Sequence, residues 1–378
     1  MADRRLPPSG ECESIVLTRR ELLVSGAILV AGAAAGCGLR GSSPQPLVTI
    51  DHAARRYPRR AGDITVNVCG RLDEAVTRAE YRVNDGAWRS IEQAPPRVPA
   101  PLFSVELGRG ELVAGTNRLF VRAFGGRGRE QTIAVEIAYD DSPVILPIEQ
   151  TWDGELDVGD GVWETIERDG VRRVRPKPGF EDYDRIVLVS GAFADARRVT
   201  TEVVFHAAAD GNRPYGFGVL PLWGGRPDPE GHRPRRGWSF SLAWYYSHYL
   251  GVGSEFSHKV GGAEPDWIST YRNISLEPRR PYEIEVEVWP ERDDTGGHGG
   301  YRQRMRWRGG GDATDGVWFE LADREGAPLP VGEYAVALVA HRCQVDFGPV
   351  RVEAMTPPEP CTATGSGRAA MVAPRFPL

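Results

Sequence analysis

With 378 residues, the chain exceeds what one hydrophobic core organises, so two folded domains with non-globular ends are expected. Its 46 basic and 52 acidic residues give a formal net charge of -6 and are spread without a basic block, which excludes the counterion-displacing surface that nucleic acid requires of a partner. The 45 glycines and 30 prolines favour many short strands joined by turns over long helices, so the expected class is all-β.

Thr18, Arg19, Arg20, Glu21, Leu22 and Leu23 read TRRELL and lead into an uncharged apolar stretch over 22–35. This resembles a twin-arginine signal peptide. The stretch is shorter than the ~20 apolar residues of a permanent membrane helix. A buried helix there would hold Gly26, Gly32 and Gly36, each at about 1 kcal/mol relative to alanine. Ala34, Ala35, Gly36 and Cys37 close the stretch and resemble a bacterial lipobox, with alanine where a large aliphatic residue is usual. The resemblance implies a signal over 1–37, lipidation at Cys37, and an exported protein anchored to the outer face of a bacterial membrane or envelope. Simple cleavage near the same position is the alternative.

The exported chain then holds Cys37, Cys69, Cys343 and Cys361, with no CxxC pair and no Cys/His cluster at zinc spacing. Cys69 in VNVCG and Cys343 in AHRCQVDF sit in strand-like apolar surroundings and read as buried free thiols.

After a linker over 38–48, alternating runs occupy 49–140. ITVNV places Ile64, Val66 and Val68 on one face, and AEYRV repeats the alternation. Asn84, Asp85 and Gly86 tolerate the positive φ of a tight hairpin turn. About seven strands suit a β-sandwich. YRVNDGAW, LVAGTNRLFVRAFGGRG and TIAVEIAYD resemble bacterial immunoglobulin-like modules, which implies an immunoglobulin-like sandwich that spaces the next domain from the membrane.

Past the linker YDDSPVILPIEQ, the segment 146–356 carries about nine strand-like runs, from RIVLVSG to CQVDFGPVRVEAM. Their order, with AVALVAH before VDFGPVRVEAM, resembles concanavalin A-like jelly rolls, the fold of laminin-G modules and many glucanases. Such folds commonly bind saccharides, and this segment has the residue types a saccharide site needs. A sugar ring presents an apolar C–H face and a hydroxyl rim, matched by flat aromatics with a few polar groups. Seven of the ten tryptophans lie between 150 and 290. In GWSFSLAWYYSH, Trp238, Phe240, Leu242 and Trp244 share one face of a strand, while Tyr245, Tyr246, His248 and Tyr249 cannot all turn inwards. The polar loop after Trp223, with Arg235, reads as one rim of a cleft. SEFSHKVGGAEPDW, with Glu255, His258, Lys259 and Trp267, reads as a second. Trp223, Arg235, Trp238, Trp244, Tyr246, Glu255, His258, Lys259 and Trp267 are the expected ligand-binding residues, against sandwich core as the plainer role of any single tryptophan.

Two enzymatic routes are visible. EIEVE over 283–287 resembles the EIDIE-type strand of retaining laminarinase-like glucanases, which makes Glu283 and Glu287 catalytic candidates. Glu285 replaces that family's central aspartate, however, and EIEVEVW is equally the pattern of a half-exposed strand with Ile284, Val286 and Val288 inward. The second route uses His248 or His258 as base with an arginine on a uronate or oxyanion. Asp346 in QVDFG is a candidate ligand for structural calcium, and no other cofactor is expected. The tail over 357–378 is rich in Pro, Ala and small polar residues and is expected to be disordered.

The resulting expectation is a membrane-tethered, extracytoplasmic carbohydrate-binding protein whose partner is a polysaccharide or glycan. A glycoside hydrolase or polysaccharide lyase on the same scaffold, and a purely structural envelope module, are the alternatives.

Overall fold

The computed structural model describes residues 45–54, 56–58, 66–91, 102–181, 184–209, 213–224, 240–248, 251–259, 267–270, 274–292, 298–311, 315–320 and 331–358. Several strand residues, among them 240, 248, 251–259 and 267–270, are described by backbone alone. The signal, Cys37, Arg235, Trp238 and residues 359–378 of the tail lie outside the described residues. What is described is all-β, as composition led one to expect, and forms two sandwiches in succession.

The first sandwich begins with β1 (Val48–His52), β2 (Arg56–Pro58), β3 (Val66–Leu72) and β4 (Val76–Val83). It continues with β5 (Arg89–Ser90), β6 (Leu102–Leu107), β7 (Gly115–Gly125) and β8 (Glu130–Asp140). One sheet runs β1-β3-β6 and the other β2-β8-β7-β4-β5. Alternation decides what lies between them: Val66 and Val68, Val105 and Leu107, and Leu119, Val121 and Ala123 turn into a shared core. Tyr57 is sealed in that core, its hydroxyl accepting from the Ala54 N–H and donating to the Asn67 carbonyl, both at 2.9 Å. The expected hairpin turn is present: Asn84 takes φ 50°, and the Gly86 N–H reaches the Val83 carbonyl at 2.9 Å.

The second sandwich opens with β9 (Ile148–Gln150), β10 (Val158–Asp160), β11 (Trp163–Arg168), β12 (Val171–Pro176) and β13 (Asp184–Phe193). Next come β14 (Arg197–Ala208), β15 (Tyr215–Trp223), β16 (Phe240–His248), β17 (Gly251–Lys259) and β18 (Trp267–Thr270). It ends with β19 (Pro281–Arg292), β20 (His298–Arg308), β21 (Phe319–Glu320), β22 (Tyr334–His341) and β23 (Cys343–Ala354). A seven-stranded antiparallel sheet, β10-β13-β22-β15-β16-β17-β18, packs on an eight-stranded one, β11-β12-β23-β14-β19-β20-β21, in which β9 also pairs with β23. The stretch read as a second polar rim supplies β17 and the start of β18, whose period-two pattern small residues hide. The segment read as a linker is fastened to the sheet by β9, with Val144, Leu146 and Ile148 packed on the core.

The core between these sheets is aromatic. Phe217 stacks on Phe205 at 5.4 Å and meets the edge of Trp307 at 6.2 Å, contacts worth about 0.5–1.5 kcal/mol each beyond burial. Trp152 and Trp163 are also core, with indole N–H groups on the carbonyls of Gly348 and Asp160. Arg197 is fully buried, and its guanidinium donates to the carbonyls of Asp195 and Pro221 at 2.9 and 2.8 Å. Burial lowers its pKa to about 10.

The described residues of both sandwiches belong to one compact unit. The Trp163 N–H donates to His52 Nε2 at 2.9 Å, and the Cys69 thiol lies 3.5 Å from the Val158 carbonyl. Cys69, carried by β3, is thereby part of the second sandwich's core.

Candidate functional site

The seven-stranded sheet buries apolar side chains on both faces. Val187, Phe217, Val219, Ala243, Tyr245 and Leu338 point at the other sheet, whereas Leu188, Leu220, Trp223, Leu242, Trp244 and Val339 form a second layer on the outer face. The reading of GWSFSLAWYYSH therefore holds for Leu242 and Trp244, and Tyr245 is the core-facing ring. Trp244 and Tyr246, two residues apart on β16, stack with centroids 4.4 Å apart and an interplanar angle of 14°.

Glycines in β15 make this pair possible. Gly218 is in register with Trp244 and Gly216 with Tyr246. A Cβ on Gly216 would stand 2.7 Å from Tyr246 Cδ2 and 2.9 Å from Trp244 Cε3, so the rings lie across a strand that has been kept bare for them. On the far side of β15, His341 of β22 sits 6.1 and 6.2 Å from the two ring centroids. Its Nδ1 is 2.6 Å from Asp184 Oδ1, which fixes the imidazole at the edge of the rings. Trp244 is 8 % exposed and Tyr246 half-buried, so Tyr246 is the more accessible of the pair.

The remaining expected residues are less concentrated. Trp223 is buried in the outer apolar layer. Glu255 is in register with Trp244, His258 with Ser241 and Trp267, and Lys259 with Phe240. Glu255 and His258 thus stand three positions apart, on opposite parities of β17. Their side chains, with those of His248, Lys259 and Trp267, lie outside the described residues, as do Arg235 and Trp238. His341 and Asp184 were missed by sequence reasoning, since only sheet order brings β13 and β22 beside the rings.

The strand resembling a glucanase motif has a different setting. β19 lies in the eight-stranded sheet, with Ile284, Val286 and Val288 inward as the plainer reading has it. Its carboxylates face outwards but are not open. Glu287, fully buried, is held by Arg198 at 2.5 Å and Arg304 at 2.6 Å. Glu285 is held by Arg198, Arg306 and Arg308, and Glu283 by Arg308 at 2.9 Å. Trp318 covers the guanidiniums of Arg304 and Arg306 at 4.3 and 4.2 Å. Glu283 and Glu287 are members of an ion-pair lattice, each engaged by guanidinium.

Asp346, also fully buried, lies across β14 from β19 on the same outward face of this sheet. Arg168 Nη1 and His206 Nε2 stand 2.9 and 2.8 Å from its Oδ2. Among the described residues, no group of three or more His, Cys, Asp or Glu is placed to hold a metal ion.

No family model matches the chain, and no curated protein sequence matches it. Among solved structures, the metal-free carbohydrate recognition domain of Emp46p is similar at 10 % identity and a TM-score of 0.31, over 51 % of this chain and 87 % of that one. A putative glycosyl hydrolase from Parabacteroides distasonis ATCC 8503 is similar at 10 % identity and a TM-score of 0.27, over 57 % and 94 %. A structure of carbohydrate-binding modules from the β-sandwich superfamily is similar at 10 % identity and a TM-score of 0.19, over 81 % and 95 %.

Proposed function

We propose that the chain is an exported carbohydrate-binding protein, tethered through a lipid on Cys37, that takes saccharide on the outer face of its seven-stranded sheet. The observation that carries this reading is the Trp244–Tyr246 pair, bordered by the His341–Asp184 pair. The half-buried Tyr246 ring, backed by the buried Trp244 ring, offers a flat apolar seat for a sugar's C–H face, and the imidazole and carboxylate offer polar partners to its hydroxyls. The immunoglobulin-like sandwich then serves as a fixed support, docked to the binding sandwich at His52 and Cys69.

Titration of the chain with a panel of oligosaccharides, followed by calorimetry and tryptophan fluorescence, tests the reading. At least one glycan should bind, and Tyr246→Ala should weaken it about tenfold in a variant that circular dichroism shows to be folded. No binding across the panel would overturn it. Release of reducing ends or unsaturated products from the same panel would promote the hydrolase or lyase alternative. Labelled fatty acid recovered on the Cys37 peptide would support the tether, and a mature N-terminus beyond Cys37 would remove it.

A further inference from the structure

An open pocket of about 250 Å³ lies on the eight-stranded sheet, far in sequence from the ring pair, between β11, β12, β14 and β23. Its walls include Arg168, Arg175, Glu181, His206, Arg279 and Asp346. Its volume is below the ~300–1,000 Å³ of pockets for drug-sized ligands, so it suits a single sugar-sized ring.

The charges in this pocket are layered. The carboxylates form the floor, since Asp346 is 0 % and Glu181 6 % exposed. The guanidiniums form the rim: the Arg168 side chain is 42 % exposed, and that of Arg279 is open and has no hydrogen-bond or ion-pair partner among the described residues. Arg175 is already matched by Glu164 at 2.6 Å, and Arg168 by Asp346. The floor is unfinished. Arg168 Nη1 and His206 Nε2 stand 2.9 and 2.8 Å from Asp346 Oδ2 and 3.1 Å from each other, and neither oxygen of that carboxylate has a hydrogen-bond partner among the described residues. A buried carboxylate in that state costs free energy that incoming O–H donors would recover. Pro176 and Pro178 add apolar wall for ring carbons.

Donors are wanted at depth and an anion at the mouth. Glu181 already accepts from the Gly179 N–H at 2.7 Å and from Gln344 Nε2 at 3.3 Å, so a hydroxylated ring bearing one carboxylate meets both demands with a hydroxyl on Asp346 and its carboxylate on the fork of Arg279. We propose that this pocket is a second saccharide subsite, specific for a uronate residue. The inference deepens the glycan-binding reading and rests on its premise, but uses none of the same residues.

The test is calorimetry on the full chain with methyl glucuronide and methyl galacturonide, using methyl glucoside and acetate as controls. At least one uronide should bind and neither control should. Arg279→Ala, at an exposed side chain, should weaken uronide binding about tenfold without moving the melting temperature, and Tyr246→Ala should leave it unchanged. Asp346→Asn should also weaken it, and circular dichroism reports whether that variant folds. Absence of uronide binding, equal binding of acetate or glucoside, or an unchanged affinity in Arg279→Ala would each overturn the proposal. Loss of uronide binding in Tyr246→Ala would instead assign the acidic sugar to the ring pair.

Discussion

Across the junction of the two sandwiches, the backbone N–H of Trp163 donates to His52 Nε2 at 2.9 Å, so His52 must be neutral for the junction to hold. Burial, opposed by Asp51 and reinforced by Lys177, lowers its pKa to about 4 from 6.5. Folding therefore favours the uncharged ring. Above pH 6.5 the shift costs nothing, and between 6.5 and 4 the unfolded chain binds a proton that the folded chain refuses. Stability from this group should fall as pH falls through that window, by about 3 kcal/mol at ~1.4 kcal/mol per unit. Urea midpoints at pH 7.5 and 4.5 should differ less in His52→Gln, which keeps an acceptor but does not titrate. An equal acid loss in both proteins would refute the assignment.

Gly218 is the residue on which the Trp244 backbone rests. A Cβ there would stand 2.3 Å from the Ala243 carbonyl and 2.5 Å from Trp244 Cα, and backbone atoms cannot step aside as a flexible side chain can. Gly218→Ala should cost about 2–3 kcal/mol in urea unfolding, at the upper range of overpacking changes. It should also alter the near-ultraviolet dichroism of the Trp244–Tyr246 pair. Retention of both stability and that signal would mean that β15 and β16 lie further apart than described.

The carboxylates of β19 separate structural from catalytic roles. Glu287 is buried between Arg198 and Arg304, so Glu287→Ala takes the shared carboxylate from both guanidiniums, Arg198 keeping Glu285, and should cost about 2 kcal/mol. Glu283 pairs with Arg308 at the surface, and Glu283→Ala should cost under about 1 kcal/mol, less still in 1 M salt. A retaining glucanase would respond the other way, with both substitutions abolishing turnover and neither needing to affect folding. Denaturation midpoints and product release on the two variants decide between these patterns.

How much of this was legible in the sequence follows from the range of each signal. Period two is local, so the strand of Ile284, Val286 and Val288 and the shared face of Leu242 and Trp244 could be read directly. The Asn84–Gly86 turn was legible for the same reason. β9 and β17 were not, because three residues are too few for a period and glycine and serine blur one. The pocket was illegible in a stronger sense. Arg168, His206 and Asp346 come from three strands that the sheet order alone makes neighbours, and no spacing within any one of them marks the site. Asp346 was noticed for its carboxylate, but its neighbours Arg168 and His206 are supplied by β11 and β14.

Cys69 and Cys343 give the junction a chemical reporter. Both are buried free thiols whose pKa burial pushes well above the ordinary range, so neither should react with a thiol reagent in the native state. Their positions differ: Cys69 lies against Val158 where the sandwiches meet, whereas Cys343 is sealed between sheets with its thiol 3.3 Å from the Gly216 carbonyl. Opening the junction exposes Cys69 without dismantling the second core. Pulsed labelling with a disulfide reagent active in acid, read peptide by peptide, should therefore modify Cys69 before Cys343 as pH falls from 6.5 towards 4. The lead should shrink in His52→Gln, whose junction does not titrate. Simultaneous labelling of both thiols would mean that the sandwiches unfold as one cooperative unit, with the His52 contact opening only when the cores do.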